Sequence, residues 1–487
     1  MNIMQIKLIE AKGHERAYRL RMPFRFGVKT ATHGRQAIMR VRIRLQDGRE
    51  AEGYSAEALG AKWFDKDLAL SDDENHHQLR KSLELASEAY LSSPAAAPFA
   101  LFADNYDNHV AACGRLALNP LIASYGQSLV DRAILDALCR ALDISFYQAM
   151  RSNLVGLTPH PVAPELDGFD MATLFHNAQP ARSIDVRHTV GLTDPILVSD
   201  IPADLRVTDG LPQALEEVVA TYANRYFKIK VGGNEAEDLD RLTRIASVLD
   251  RSEGTYRATL DGNEQYPDAA TFADFYAKLA EMPELQRLLA SILYVEQPIN
   301  RKEALARPVN AIAQTVPVII DESDGALSAF SQARELGYTG VSSKACKGIY
   351  KSMINYARCQ VWNDGGEGTY FMSAEDLTCE PGLAIQQDLA LINLLGLTHV
   401  ERNAHHFIDG FGGRPDSEAQ AFLSAHPDLY HRQDGGVRLR LEDGKFAIGS
   451  LDCSGFGTGV SPDFDALESM PRAAWPKAIV GETAGDD

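Results

Sequence analysis

The chain has 487 residues, 45% hydrophobic and 24% charged, an ordinary mixture for a globular protein with room for two or three domains and an ample core. Its formal net charge of −19 argues against broad binding to nucleic acid or anionic membranes. No apolar run approaches the roughly 20 residues that span a bilayer, and the start, MNIMQIKLIEAKGHERAYRLRMPF, lacks a long apolar core and a small-residue cleavage site. The cysteines at 113, 139, 346, 359, 379 and 453 form no CxxC pair, so free thiols in a reducing cytoplasm are expected.

In chain order, residues 3–53 alternate as strands, with Asp47-Gly48 as a tight hairpin turn. Two loops, 23–34 and 53–67, are of the kind that closes over a neighbouring site. Residues 72–92 and 124–150 read as helices, the second with an apolar stripe at Leu129, Ala133, Ile134, Ala137 and Leu138. Residues 155–182 carry several prolines and no clear period, and are expected to be an insertion or linker. SIDVRHTVGL (183–192) looks like the first strand of a new unit. From Leu211 the rhythm is regular: helices at 211–224, 236–250, 268–281, 302–314 and 325–336 alternate with short apolar strands. TYFMSAEDL (369–377) and HVERNAHHF (399–407) continue it. In the tail, VRLRLEDGKFAIG reads as a hairpin around a second Asp-Gly.

The strands from Phe227 to Lys344 each end in a charged residue: FKIK, ATLD, LYVE, VIID and VSSK. Apolar strand, polar tip and helix in repetition is how a parallel βα barrel presents side chains at the carboxyl ends of its strands. Lys228 and Lys230 share one strand face, and helices outside the sheet put that face in the barrel interior. Asp261, Glu296 and Asp321 are each about one βα unit apart, so successive tips place them side by side. Three converging carboxylates repel one another, and a hard divalent cation relieves this; Mg²⁺ suits three carboxylates plus water and substrate oxygens. Lys344 falls across the barrel from Lys228 and Lys230, which sets bases on two faces of a metal-bound substrate. Asn263 shares the face of Asp261. Glu322 follows Asp321 directly, so only one of the pair faces the metal.

KIKVGG, LDGN, VEQP, DES and KACKG, in this order and spacing, resemble the enolase superfamily, and most of all its muconate lactonizing enzyme subgroup, of which this would be a long member. VDRAILDALCRALDISFYQAM also resembles the helix that precedes the barrel in that family. The resemblance implies an α/β fold, a (β/α)₇β TIM-like barrel with an N-terminal α+β capping domain. The expected units are a capping domain with leading helices (1–154), the insertion (155–182), the catalytic barrel (183–412) and a C-terminal segment packing back on the cap (413–487).

The resemblance further implies Mg²⁺, or Mn²⁺, held by Asp261, Glu296 and Asp321. Lys230 and Lys344 would be the acid/base pair, with Lys228 tuning Lys230 and touching the substrate carboxylate. The implied reaction is abstraction of a proton α to a carboxylate through an enediolate, leading to racemisation or epimerisation, cycloisomerisation or β-elimination. Alternatives are acid-sugar dehydration, as in mandelate racemase-like relatives, or an inactive barrel serving as a binding protein. Substrate contacts are expected from Asn263, Glu322, Ser373, Glu375, His405 and His406, and a second substrate anion would meet Arg25, Lys29 or Lys62. The expected partners are a small carboxylate substrate and further copies of the chain in a homo-oligomer. The sequence departs from its relatives in three places. The K-x-x-K-x-GG pattern is reduced to Lys344, Lys347 and Gly348. The last strand carries NAHHFID where dipeptide epimerases have DxD. No Asp–His dyad of the mandelate racemase kind is present, which leaves Lys344 as the base.

Overall fold

Alternating apolar residues at the start of the chain pair into a long antiparallel hairpin, β1 (Ile6–Phe26) with β2 (Lys29–Leu45), and Asp47-Gly48 turns the chain into β3 (Glu50–Ala58). The computed structural model describes residues 3–252, 254–366 and 368–476. A register shift between Arg19 and Phe24 bends the distal part of β1, and the hairpin closes at Phe26 and Lys29. Three helices cover the apolar face of this sheet: α1 (Asp72–Ser92), α2 (Pro98–Arg115) and α3 (Pro120–Leu142).

α3 is buried along nearly its whole length, with the Asn119 side chain accepting from the Ile122 amide at its start. It crosses β3 so closely that a Cβ on Gly53 would lie 2.2 Å from the Ala137 nitrogen, which makes glycine obligatory there. The helix expected over 124–150 breaks at Asp143, whose φ is +51°, and resumes as α4 (Phe146–Arg151). α2 was not foreseen, because its helical period is blurred by a polar stretch from Asp104 to His109.

Eight parallel strands follow: β4 (Ser183–Val190), β5 (Tyr226–Lys230), β6 (Arg257–Asp261), β7 (Ile292–Glu296), β8 (Val318–Ile320), β9 (Gly340–Ser343), β10 (Phe371–Ala374) and β11 (His399–Glu401). They pair in sequence from β4 to β10, and β11 returns to pair with β4, curling the sheet into a barrel. The strands are short and nearly all buried, as a sheet covered on both faces requires. The helix expected over 302–314 is two separate turns, Arg301–Ala304 and Asn310–Ala313, with Pro308 between them.

The insertion at 155–182 is a packed cover for the helix Ile349–Asp364. Leu166, Met171 and Phe175 are buried, Phe175 stacks on Tyr356, and Glu165 pairs with Arg358.

In the tail, the expected single hairpin divides between two ribbons. β12 (Tyr430–Gln433) pairs with β13 (Gly436–Leu439), while β14 (Leu441–Glu442) pairs with β15 (Lys445–Ala447) across Asp443 and Gly444, both at positive φ. β15 also pairs with β4 at its amino end, and β16 (Glu468–Ser469) returns to β1 in the capping sheet. Residues 477–487 of the expected C-terminal segment lie outside the described residues. Among the described residues, no helix is long and apolar enough to cross a membrane, and the six cysteines are free.

Candidate active site

The register of the barrel decides which tips meet. Lys230 stands opposite Asp261, and Asp261 opposite Glu296; Glu296 is level with Ile319, which puts Asp321 just beyond the end of β8. Asp261, Glu296 and Asp321 have no solvent exposure, and the three lysines have at most 5%. Burial of this many charges is tolerable only with close pairing. Lys228 Nζ lies 2.7–2.9 Å from carboxylate oxygens of four acids, Asp261, Glu296, Glu375 and Glu401. Lys230 donates to Asp261 at 2.5 Å, and across the mouth Lys344 donates to Asp321 at 2.6 Å. Ser342 donates to the second oxygen of Asp321, at 2.5 Å.

The charges set each other's protonation. Burial alone would lower the Lys228 and Lys344 ammonium pKa, but the surrounding carboxylates raise both above the usual lysine range. Against the same burial penalty, Lys344, Lys347 and Lys228 hold Asp321 far below an ordinary aspartate, and Lys228, Lys230 and Lys344 do the same for Glu401. Glu296 goes the other way: burial and the nearby charges of Asp261 and Glu375 push it well above the ordinary glutamate value.

Among the described residues, no group of three His, Cys, Asp or Glu side chains is arranged as a metal cage. The oxygens that a cation would take from Asp261, Glu296 and Asp321 are those that Lys228, Lys230 and Lys344 now engage. The donor set nevertheless fits a hard divalent ion. It is all oxygen and fully buried, it lies on three consecutive strands, and its members are close enough for Asp261 and Asp321 both to disfavour the charge on Glu296.

Above the lysines lies a small cavity of about 50 Å³. Lys228, Lys230 and Lys344 line its barrel side together with Asn263, Glu401 and Asn403; Phe24 and Phe26 of the hairpin and Trp63 of the loop after β3 roof it. The Trp63 ring centre is 4.2 Å from Lys344 Nζ, a cation–π contact. Arg301 anchors that loop by donating to the carbonyls of Trp63 and Phe64, and Lys66 donates to the Asn263 carbonyl and pairs with Glu264. The loop expected at 23–34 is instead the closed end of the β1–β2 hairpin, and the one expected at 53–67 begins as the second half of β3; both segments contribute to the roof, through Phe24 and Phe26 and through Gly60 and Trp63. A much larger cleft of about 990 Å³ lies among Tyr18, Arg21 and Asp209, and no lysine tip reaches it.

Of the other residues singled out in the sequence, Asn263 lines the cavity and donates to Glu322, which sits behind it with Lys66. Ser373 and Glu375 are buried below the lysines, where Glu375 also receives Arg187 and Tyr294. His405 and His406 do not reach the cavity. They lie in the helical turn Ala404–Phe407, where each packs against His188, the residue of β4 opposite in facing to Arg187 and Thr189. Arg25 is exposed, Lys29 pairs with Asp72, and Lys62 donates to the carbonyls of Asp67 and Leu70, so none of these three lines the cavity.

Glu401 was missed, although HVE repeats the pattern of LYVE, an apolar strand ending in an acid. It accepts from Thr189, Asn403 and Lys228. Lys347, in the turn Ala345–Lys347 after β9, bonds Ser342 and pairs with Asp324.

No family model and no curated protein matches the sequence. Solved structures do match, over nearly the whole chain. The L-Ala-D/L-Glu epimerase from Bacillus subtilis is 15% identical with a TM-score of 0.55, covering 93% of this chain and 98% of that one. The 2-chloromuconate cycloisomerase from Rhodococcus opacus is 15% identical with a TM-score of 0.56, covering 94% and 98%. An enolase from Bradyrhizobium, complexed with magnesium and mandelic acid, is 14% identical with a TM-score of 0.56, covering 95% and 97%. At these identities the likeness is one of fold: an α/β barrel with an antiparallel capping sheet.

Proposed function

We propose that this protein abstracts a proton α to the carboxylate of a small organic acid. The observation that carries the reading is that Lys230 of β5 and Lys344, just past β9, line one pocket, Lys230 paired with Asp261 and Lys344 with Asp321. Asp261, Glu296 and Asp321 are the residues that would hold Mg²⁺, which when bound would supply positive charge against the carboxylate oxygens of the acid.

The chain's own part follows from its geometry. An amine can take a proton from one face of a bound acid, and an ammonium across the cavity can return one to the other. Both lysines are fixed by their aspartates, so neither has to search for its position. Lys228, held by four carboxylates, acts as a fixed positive charge and not as a proton carrier. The roof of Phe24, Phe26 and Trp63 excludes water from the reacting carbon. Two-base exchange supports racemisation or epimerisation; one lysine alone serves a cycloisomerisation or elimination. Among the described residues no histidine lines the cavity, so the acid and base of this reading are lysines.

The test is deuterium incorporation at the α carbon of small carboxylic acids in heavy water with Mg²⁺, comparing the native protein with Lys230→Ala and Lys344→Ala. Exchange that survives both substitutions sinks the assignment. Metal and acid binding without any exchange would instead favour a barrel that only binds.

A further inference from the structure

Lys230 and Lys344 are held in place by different means, and the difference singles out a buried pair behind the second. We infer that Asp388 and Arg402 are positioning residues for Lys344, acting through the main chain at Ala345 to fix where its ammonium points. This rests on the proposed proton abstraction and adds two residues to it, neither of which lines the cavity.

Lys230 lies inside the sheet, level with Asp261 in the ladder between β5 and β6. The ladder between β9 and β10 ends at Ser343 and Ala374, one residue short of Lys344. Lys344 instead opens the helical turn Ala345–Lys347, with the Lys347 amide donating to its carbonyl at 2.9 Å. Side chains then do for Lys344 what the sheet does for Lys230. The Ala345 amide donates to Asp388 Oδ1 at 2.8 Å, from the helix Leu383–Leu394, and the Ala345 carbonyl accepts from Ser128 of α3. The residue next to Lys344 is gripped at both its polar atoms, from the barrel on one side and the cap on the other.

Asp388 is itself held. Its Oδ2 accepts from Arg402 Nη2, and Arg402 Nη1 donates to the Glu401 carbonyl at 2.9 Å at the end of β11. One guanidinium thus ties the tip of β11 to the peptide beside Lys344. Arg402, Asp388, Ala345 and Ser128 are all buried. A buried ion pair adds little net stability over apolar residues of the same volume, whereas a carboxylate bonded to a main-chain amide is short and directional. The charges that bear most on the Lys344 ammonium are Asp321, Lys228, Glu296 and Glu401, so Asp388 acts on its place and not on its charge. Place is costly to lose: a displacement of about 1 Å from the reacting carbon slows a reaction about 100-fold.

Trp63 reports the place of Lys344 without any substrate, because its ring centre lies 4.2 Å from Nζ. In the full chain carrying Trp362→Phe and Trp475→Phe, Trp63 is the one remaining tryptophan. Lys344→Met, added to that chain, sets the full change in its emission. Asp388→Leu should move the emission at least about half as far in the same direction, and add nothing once Lys344→Met is present. Arg402→Met takes its place if Asp388→Leu does not fold. Unmoved emission in the folded variant, or in Lys344→Met, would overturn the inference. Additive shifts would overturn it too, since the pair would then reach Trp63 by a route other than Lys344. The second readout is α-proton exchange of vinylglycolate, a small acid activated by its double bond, in heavy water with Mg²⁺. Asp388→Leu should slow it at least about 30-fold at an unchanged half-saturating concentration, and no further when Lys344→Ala is present. An equal loss in both backgrounds would make the pair merely structural and overturn the inference. Absence of exchange in the native chain counts against the proton-abstraction reading itself, and the emission still decides the positioning.

Discussion

Strand β4 separates two buried polar clusters that handle burial in opposite ways. On its barrel side, Arg187 and Thr189 join Glu375 and Glu401, and through them Lys228. On its outer side, His188 packs against His405 and His406. Inside, Lys228, Lys344, Asp321 and Glu401 each have a counter-charge within hydrogen-bonding distance, which favours their charged forms. Outside, the charge that bears on His405 and His406 is the Arg21 guanidinium, which has the same sign as an imidazolium. Burial pushes His188 down to about 3 and holds His405 and His406 well below the ordinary histidine value, so that all three are neutral. The same fold thus stores charge where a partner exists and discharges the group where none does.

The sharpest way to separate the two clusters is through chemistry. Lys230→Ala and Lys344→Ala should each reduce α-proton exchange by at least about 1000-fold with the circular dichroism spectrum unchanged, whereas His406→Phe should leave exchange within about twofold. The next largest effect is on stability. Lys228→Met strips the shared cation from four buried carboxylates, and denaturant unfolding at pH 7 should show a loss of about 3–5 kcal/mol. A neutral result would mean that the acids around Lys228 do not depend on its charge.

The histidine side responds to acid. The folded pKa of His406 lies below its unfolded value of 6.5, so the unfolded chain takes up the proton first, and stability falls as pH drops below about 6.5. His406→Phe should flatten that dependence by about 1.4 kcal/mol per pH unit near pH 5, measured by urea unfolding between pH 4.5 and 7; an unchanged slope would place a charge on that histidine in the folded state. The smallest effect belongs to the roof. Trp63→Leu removes the ring from Lys344 and should cost about 1 kcal/mol of transition-state stabilisation, seen as a several-fold drop in kcat/KM. No change would mean that the ring is only a cover.

Much of the site was legible because a strand tip is a local signal. FKIK, ATLD, LYVE, VIID and VSSK each show an apolar run ending in a charge, and the five terminal charges, with Lys228, end up buried at one barrel mouth. HVE carried the same signal for Glu401, but the strand is three residues long and its pattern was outweighed by the histidines that follow. His405 and His406 drew attention as chemistry-bearing residues, yet a four-residue helical turn rotates them away from the barrel axis.

The alternation of short apolar strands with amphipathic helices determined by itself that this chain forms a capped barrel, since each such unit can bury its apolar face in few other ways. It also determined which lysines and acids stand at the tips. Tertiary structure alone decided how those charges pair, which carboxylates share Lys228, and that Phe24, Phe26 and Trp63 close over them. The reason is that pairing depends on strand register and on the approach of the cap across more than a hundred residues of chain, and both are set by packing of distant surfaces, not by neighbours in sequence.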